Sequence, residues 1–211
     1  MKKILFSVAA VMAFGYASAQ EEVKAFGFGK GDIFVEGSLN FNSTKDNNSD
    51  EKTNNFNFTP KAGYFVTDKI AVGVQLGVGS GKKEDAAGEV KTNSFSAGVF
   101  GRYYFLELGQ RFKTYTELGV GYASVGGKVS PTGLPSTDLD DTNEINFGLG
   151  LGMNYFITPQ IAISFGLSDI LSYKSYKTDA DNAKSVNEFN GNLNVFKNFF
   201  DTPTFGMLYK F

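Results

Sequence analysis

The stretch IAVGVQLGVGS, residues 70–80, places Ile70, Val72, Val74, Leu76 and Val78 at every second position, with Ala71, Gly73, Gln75, Gly77 and Gly79 between them. A period of two is that of a β-strand, whose successive side chains leave on opposite faces. One face here is branched and apolar, and the other is nearly bare. A helix is disfavoured both by the period and by glycine in what would be its interior. The fold must therefore offer one environment to the apolar face and a different, narrow one to the glycine face.

The pattern recurs along the chain. Ile33, Val35, Leu39 and Phe41 oppose Phe34, Glu36, Ser38 and Asn40, and Phe56, Phe58, Ala62, Tyr64 and Val66 oppose Asn57, Thr59, Lys61 and Gly63. Phe95, Ala97, Val99, Tyr103 and Phe105 oppose Ser96, Gly98, Phe100, Arg102 and Tyr104. Leu118, Val120 and Tyr122 oppose Lys113, Tyr115, Glu117, Gly119 and Gly121. Ile145 to Tyr155 alternates with Asn146, Gly148, Gly150, Gly152 and Asn154, and Ile161 to Leu167 repeats the scheme. Phe205, Met207, Tyr209 and Phe211 complete the set of eight.

The connections alternate too. Those near residues 67–69, 106–111 and 157–160 are short, whereas 43–53, 81–92, 126–141 and 173–186 are long, polar and expected to be loops. Short turns at one end and long loops at the other describe an up-and-down meander. YFVTDKIAVG from Tyr64 and YFITPQIAIS from Tyr155 form a faint internal repeat, each bridging two strands through a short turn. Residues 187–203 fit either an extension of the last strand or an extra hairpin arm. The strand count is therefore eight, with ten as the alternative.

A soluble barrel would turn the apolar faces inward, whereas a transmembrane barrel turns them to lipid. Three features favour lipid. The other face is rich in glycine, as a narrow eight-stranded interior requires. Aromatics cluster at both ends of the apolar faces, with Phe41, Phe56, Phe95, Tyr122 and Phe147 at the long-loop end. Tyr64, Tyr103, Phe105, Phe112, Tyr155, Tyr209 and Phe211 stand at the other, which gives the two girdles of a membrane-spanning barrel. Each apolar face also fits a tilted strand long enough to cross a bilayer. Closure into a barrel follows, because lipid leaves no backbone polar group unpaired. The fold class is all-β, a transmembrane antiparallel up-and-down barrel.

Lys2 and Lys3, the apolar run Ile4 to Phe14 and the small residues Ala17-Ser18-Ala19 form a secretory signal. This divides the chain into a cleaved signal, 1–19, and a barrel domain, 20–211. A net charge of −2 gives no basis for a nucleic-acid partner, and zero cysteines exclude a disulfide scaffold. A monomer is expected, with membrane lipid as its surroundings and an external ligand, if any, taken by the loops.

On the signal, the GYFVTDKIAVG unit and the alternating strand that ends at Phe211, the chain resembles the small outer-membrane β-barrel proteins of Gram-negative bacteria, of the porin-family or OmpA/OmpX-like type. The resemblance implies location in the outer membrane, with both termini in the periplasm. It also implies that Phe205, Met207, Tyr209 and Phe211 act as the recognition signal for the barrel-assembly machinery.

Some barrels of this class are enzymes, and their active sites depend on a histidine. This chain has none, and a hydroxyl nucleophile generally needs such a base. No catalytic residue and no cofactor is therefore expected. Asp138, Asp140 and Asp141, or Asp179 and Asp181, lack the spacing of a calcium loop and read as solvated. The sharpest constellation is the polar set on the interior face: Glu36, Lys61, Gln75, Arg102, Lys113, Tyr115, Glu117, Asn154 and Lys210. Buried charges must pair or meet water. The set is expected either to fill a narrow barrel as a salt-bridged plug, the favoured reading, or to select small solutes. Arg102 is expected to pair with Glu117 across adjacent strands.

Overall fold

The computed structural model describes residues 26–192 and 204–211. The secretory signal at 1–19 and residues 193–203 lie outside the described residues. Among the described residues nine strands are present: β1 (Ile33–Asp46), β2 (Glu51–Phe65), β3 (Ile70–Asp85), β4 (Gly88–Leu108), β5 (Phe112–Pro131), β6 (Thr137–Phe156), β7 (Ile161–Thr178), β8 (Val186–Gly191) and β9 (Thr204–Lys210). Each of β1 to β7 pairs antiparallel with its sequence neighbour. β9 closes the barrel by pairing with both β1 and β7.

The eighth stave of the wall is in two pieces. β9 covers Ile161–Gly166 of β7 and β8 covers Leu171–Tyr176, on the edge that β6 leaves free. The stretch expected to be an extension or an extra arm thus begins as a strand paired to the outer half of β7. Gly191 meets Leu171 and Thr204 meets Gly166, so twelve chain residues join two points that four β7 residues separate.

The four long polar segments are corrected by the structure. Most of their residues continue the strands, and the turns shrink to 47–50, 86–87, 132–136 and 179–185. β4 runs for 21 residues, about twice what a bilayer crossing needs. Polar, asparagine-rich composition had indicated loops, but once the register is set within the membrane, each ladder continues into water at little extra entropic cost. Ion pairs of outward side chains help here: Lys82 reaches Glu84 along β3 at 2.5 Å and Glu89 across on β4 at 2.7 Å.

The two faces separate as the alternation requires. Val74, Val99 and Val120 point outward and are about half exposed, as lipid-facing side chains are when lipid is absent. Phe34, Phe65, Phe100, Tyr104, Tyr115 and Phe156 point inward and are buried. The interior rings lie opposite glycines: Phe34 faces Gly63, Phe100 faces Gly73 and Tyr115 faces Gly152. A Cβ at Gly63 or Gly152 would overlap the ring of its partner. Bare backbone on one strand is what lets the next strand's ring lie flat in so narrow a lumen.

Candidate functional site

β1, β4, β6 and β7 bring five side chains into a closed circuit. Arg102 donates through Nη1 to Glu36 Oε2 (2.9 Å) and to the Tyr104 hydroxyl (3.2 Å). Tyr104 donates to Asn154 Oδ1 (2.7 Å), Asn154 Nδ2 donates to Ser164 Oγ (2.7 Å), and Ser164 donates back to Glu36 Oε2 (3.1 Å). Both arms of the circuit run from Arg102, which only donates, to Glu36, which accepts from Arg102 and from Ser164. Among the described residues no buried side-chain polar atom lacks a partner.

Arg102 is the hub. Its Nε donates to Glu117 Oε2 at 2.8 Å, and Lys61 on β2 binds the other oxygen of Glu117. The guanidinium lies over the Tyr115 ring, 3.9 Å from its centroid, with the Phe34 and Phe100 rings at 5.3 and 5.5 Å. Two cations and two carboxylates balance within one layer, which a low-dielectric interior requires. Arg102 is 1% exposed.

On the side of the chain termini a second layer closes the barrel mouth. Residues 26–32, which precede β1, cross the opening. Phe28 stacks on Phe65 (centroids 4.3 Å apart), sits edge-on to Phe156 (5.1 Å) and contacts Tyr104 (4.8 Å). Arg111 in the β4–β5 turn covers Phe26 at 4.5 Å. The segment is tied at several points of the rim. Lys30 N donates to Asp68 Oδ1 (2.8 Å), Gly31 N to Phe65 O (2.9 Å), and Lys210 Nζ to Gly27 O (2.6 Å).

Above the charged layer the lumen opens. A cavity of about 270 Å³ is bounded below by Glu36, Lys61, Tyr115 and Glu117 and walled by Gly119, Gly148, Gly150 and Gly206. Gln75, Asn146 and Asp169 supply further polar groups. Asp169 reaches the interior because β7 shifts register between its pairings with Leu149 and Gly150 and again between Leu151 and Gly152.

The nine interior residues expected from sequence therefore divide into three groups. Glu36, Lys61, Arg102, Tyr115, Glu117 and Asn154 meet in the charged layer. Lys113 and Lys210 stand at the mouth, Lys113 paired with Glu107 at 2.6 Å and Lys210 within 3.6 Å of Asp32. Gln75 lines the cavity without joining the charged layer. Phe205, Met207 and Tyr209 face outward, while Leu208, between the last two, and Lys210, after them, are buried. Sequence reasoning passed over Tyr104 and Ser164, which complete the circuit, and the whole segment 26–32. A signal for the latter was present: FGFGKGD alternates rings with glycine just ahead of β1.

No group of acidic side chains among the described residues could hold a metal ion. The arrangement balances its own charges inside the lumen.

A family model described as the outer membrane protein beta-barrel domain matches residues 6–195. The chain belongs to this family. Similar solved structures include the outer membrane protein OprG of Pseudomonas aeruginosa, at 14% identity over 88% of this chain and 98% of that one, with a TM-score of 0.46. Ail of Yersinia pestis is 15% identical over 86% and 99%, with a TM-score of 0.45. A major outer membrane protein of Thermus thermophilus is 14% identical over 85% and 99%, with a TM-score of 0.47. No curated protein matches the chain.

Proposed function

We propose that this barrel is a non-enzymatic protein of the outer membrane of a Gram-negative bacterium, exported by its N-terminal signal, whose lumen does not conduct. Its working surface is then the sheet that the outer hairpins raise above the membrane. The reading rests on one observation. The terminal half of the lumen is filled by two stacked layers, the Arg102 circuit and the ring cluster under Phe28, and Arg102, Phe34, Phe65, Asn154 and Phe156 in it are at most 1% exposed. Buried charge that is fully paired stays in place, because moving one member strands its partner. The outward alternation of Phe205, Met207, Tyr209 and Phe211 would present one edge to the assembly machinery. Deleting Phe211 should lower the yield of folded barrel in the outer membrane, and an unchanged yield would remove that role.

Liposome swelling tests the lumen. Protein shown to be folded by its heat-dependent shift on a gel should admit a series of small sugars and amino acids no faster than empty liposomes do. Swelling above that background would mean an open pore.

A passive channel is the second reading, and the 270 Å³ cavity favours it. It requires residues 26–32 to leave the mouth and the Arg102 circuit to break, two separate changes in series.

A further inference from the structure

The double register shift in β7 has one visible product, Asp169. On either side of it, Ile163, Phe165 and Leu171 share the lipid face with their β6 partners Tyr155, Met153 and Leu149. Continued alternation would send residue 169 to that face as well. Two extra residues, one on each side, reverse the phase there, and the Asp169 carboxylate lines the cavity instead. Bulges re-aim side chains in this way, and an ionisable group kept at membrane depth marks a functional site or a charge partner.

The protein supplies no such partner. Among the described residues no hydrogen bond or ion pair reaches the Asp169 side chain. Glu117 stands opposite Gly150, and Gly150 opposite Asp169, so the two carboxylates lie at one height with a bare glycine between them. At about 4.8 Å per strand their backbones are roughly 10 Å apart, which leaves room over Gly150 for one small cation. Lys61 and Arg102 in the floor are already balanced by Glu36 and Glu117, so Asp169 is a third carboxylate against two cations. One level farther out, Lys174 lies 3.9 Å from Glu144 and opposite Glu188, again two carboxylates to one cation. A narrow cleft with an excess of one sign concentrates counter-ions.

The rest of the cavity narrows the kind of cation. A metal ion would need several carboxylates at once, and no such group exists among the described residues. At about 270 Å³ the space is near the lower end of ligand pockets, roughly 300 Å³. A Cβ at Gly148 would meet nothing within 4 Å, and one at Gly119 only Val99 O at 3.8 Å. Gln75, Asn146, Ser38 and Thr204 set uncharged polar groups around that space.

We propose that this cup binds a small organic ammonium that also carries hydroxyl groups, of the size of one amino sugar, entering from the hairpin side. The ammonium sits over Gly150 against Asp169, and the hydroxyls bond Gln75, Asn146 and Thr204. The site rests on the closed lumen for its floor.

The test uses the full barrel refolded in detergent at mildly acidic pH, with glucosamine as probe and glucose as its uncharged counterpart, read by calorimetric titration and saturation-transfer NMR. Wild type should bind glucosamine roughly tenfold more tightly than glucose. Asp169→Asn should abolish that preference. Gly148→Leu keeps the charge, fills the cavity and should lose both sugars. Asp181→Asn removes a carboxylate in the β7–β8 turn, outside the cavity, and should bind as wild type does. Gel mobility before and after boiling confirms that each variant is folded. Equal affinity of wild type for the two sugars would overturn the site, as would an undiminished preference in Asp169→Asn. Equal loss in Asp181→Asn would reduce the effect to diffuse charge and overturn it too. Displacement of glucosamine by magnesium at equal concentration would overturn the organic assignment. Liposome swelling in glucosamine separates this site from the closed lumen. Binding together with swelling supports the seat and removes the floor, whereas a barrel that neither swells liposomes nor binds glucosamine overturns the seat alone.

Discussion

The two halves of the lumen are built from the same alternating strands and have opposite character. Near the termini, interior positions hold Phe34, Phe65, Arg102, Tyr104, Tyr115 and Phe156, and the space is filled. Toward the hairpins the same faces hold Gly77, Gly79, Gly121 and Gly148 with Asn57, Ser96 and Asn146, and a cavity remains. Strand number fixes the width of a barrel but not whether it is open. Glycine here does two jobs: opposite a ring it makes room for packing, and opposite another small residue it leaves space.

The largest effect should come from breaking the filled half at its hub. Arg102→Ala leaves Glu36 without a cation and Glu117 with Lys61 alone in the filled interior, and truncating one member of a buried charge network costs about 3–5 kcal/mol. Urea unfolding of the refolded variant in detergent should show that loss, and a change under about 1 kcal/mol would mean that water already reaches the layer. Next comes Phe28→Ala, which removes a partly buried ring from its stack and should destabilise by about 2 kcal/mol, less than a fully buried ring. The same variant opens only the outer of two layers, so swelling should stay near background until Arg102 is also replaced.

Gly152→Ala sharpens the comparison because it adds one methyl where Tyr115 lies. Overpacking of this kind costs about 1–3 kcal/mol. Gly148→Ala, where a Cβ meets nothing within 4 Å, should be close to neutral. Equal losses at the two glycines, read as unfolding midpoints, would erase the distinction between the halves.

The smallest effect lies outside the membrane. Lys82 and then Lys91, by hydrogen bonding to Glu89, hold its carboxyl down from 4.5 to about 2. A carboxyl depressed in the folded state stabilises above its unfolded pKa and loses that contribution as pH falls through its folded one. Between pH 4.5 and about 2, the wild type should lose more melting temperature than Glu89→Gln, and added salt should shrink the difference, since these groups are solvated.

The wall of this barrel was legible in the sequence because period two survives any context: Ile70 to Val78 can only be a two-faced strand. The interior set was legible for the same reason, since Glu36, Arg102 and Glu117 sit on the glycine-bearing face. What sequence patterning missed was set by contacts that no local pattern reports. Ser43 to Lys45 looks like a loop and is strand, because the ladder begun in the membrane continues past it. Ser164 and Tyr104 looked like ordinary interior positions until three other strands brought Glu36, Arg102 and Asn154 beside them. Phe28 belonged to no strand, so alternation assigned it no face. The break in the eighth stave follows from two registers on β7 that differ by eight residues, and only pairing partners show that.

Single-channel recording in a planar bilayer tests the filled half most directly, with wild type beside a variant that lacks residues 26–31 and carries Arg102→Ala. The wild type should show no discrete conductance steps while the variant, shown to be folded by its gel shift, conducts. Stable openings of the wild type at low voltage would contradict the account, because ions would then pass a layer in which Arg102 is almost wholly buried.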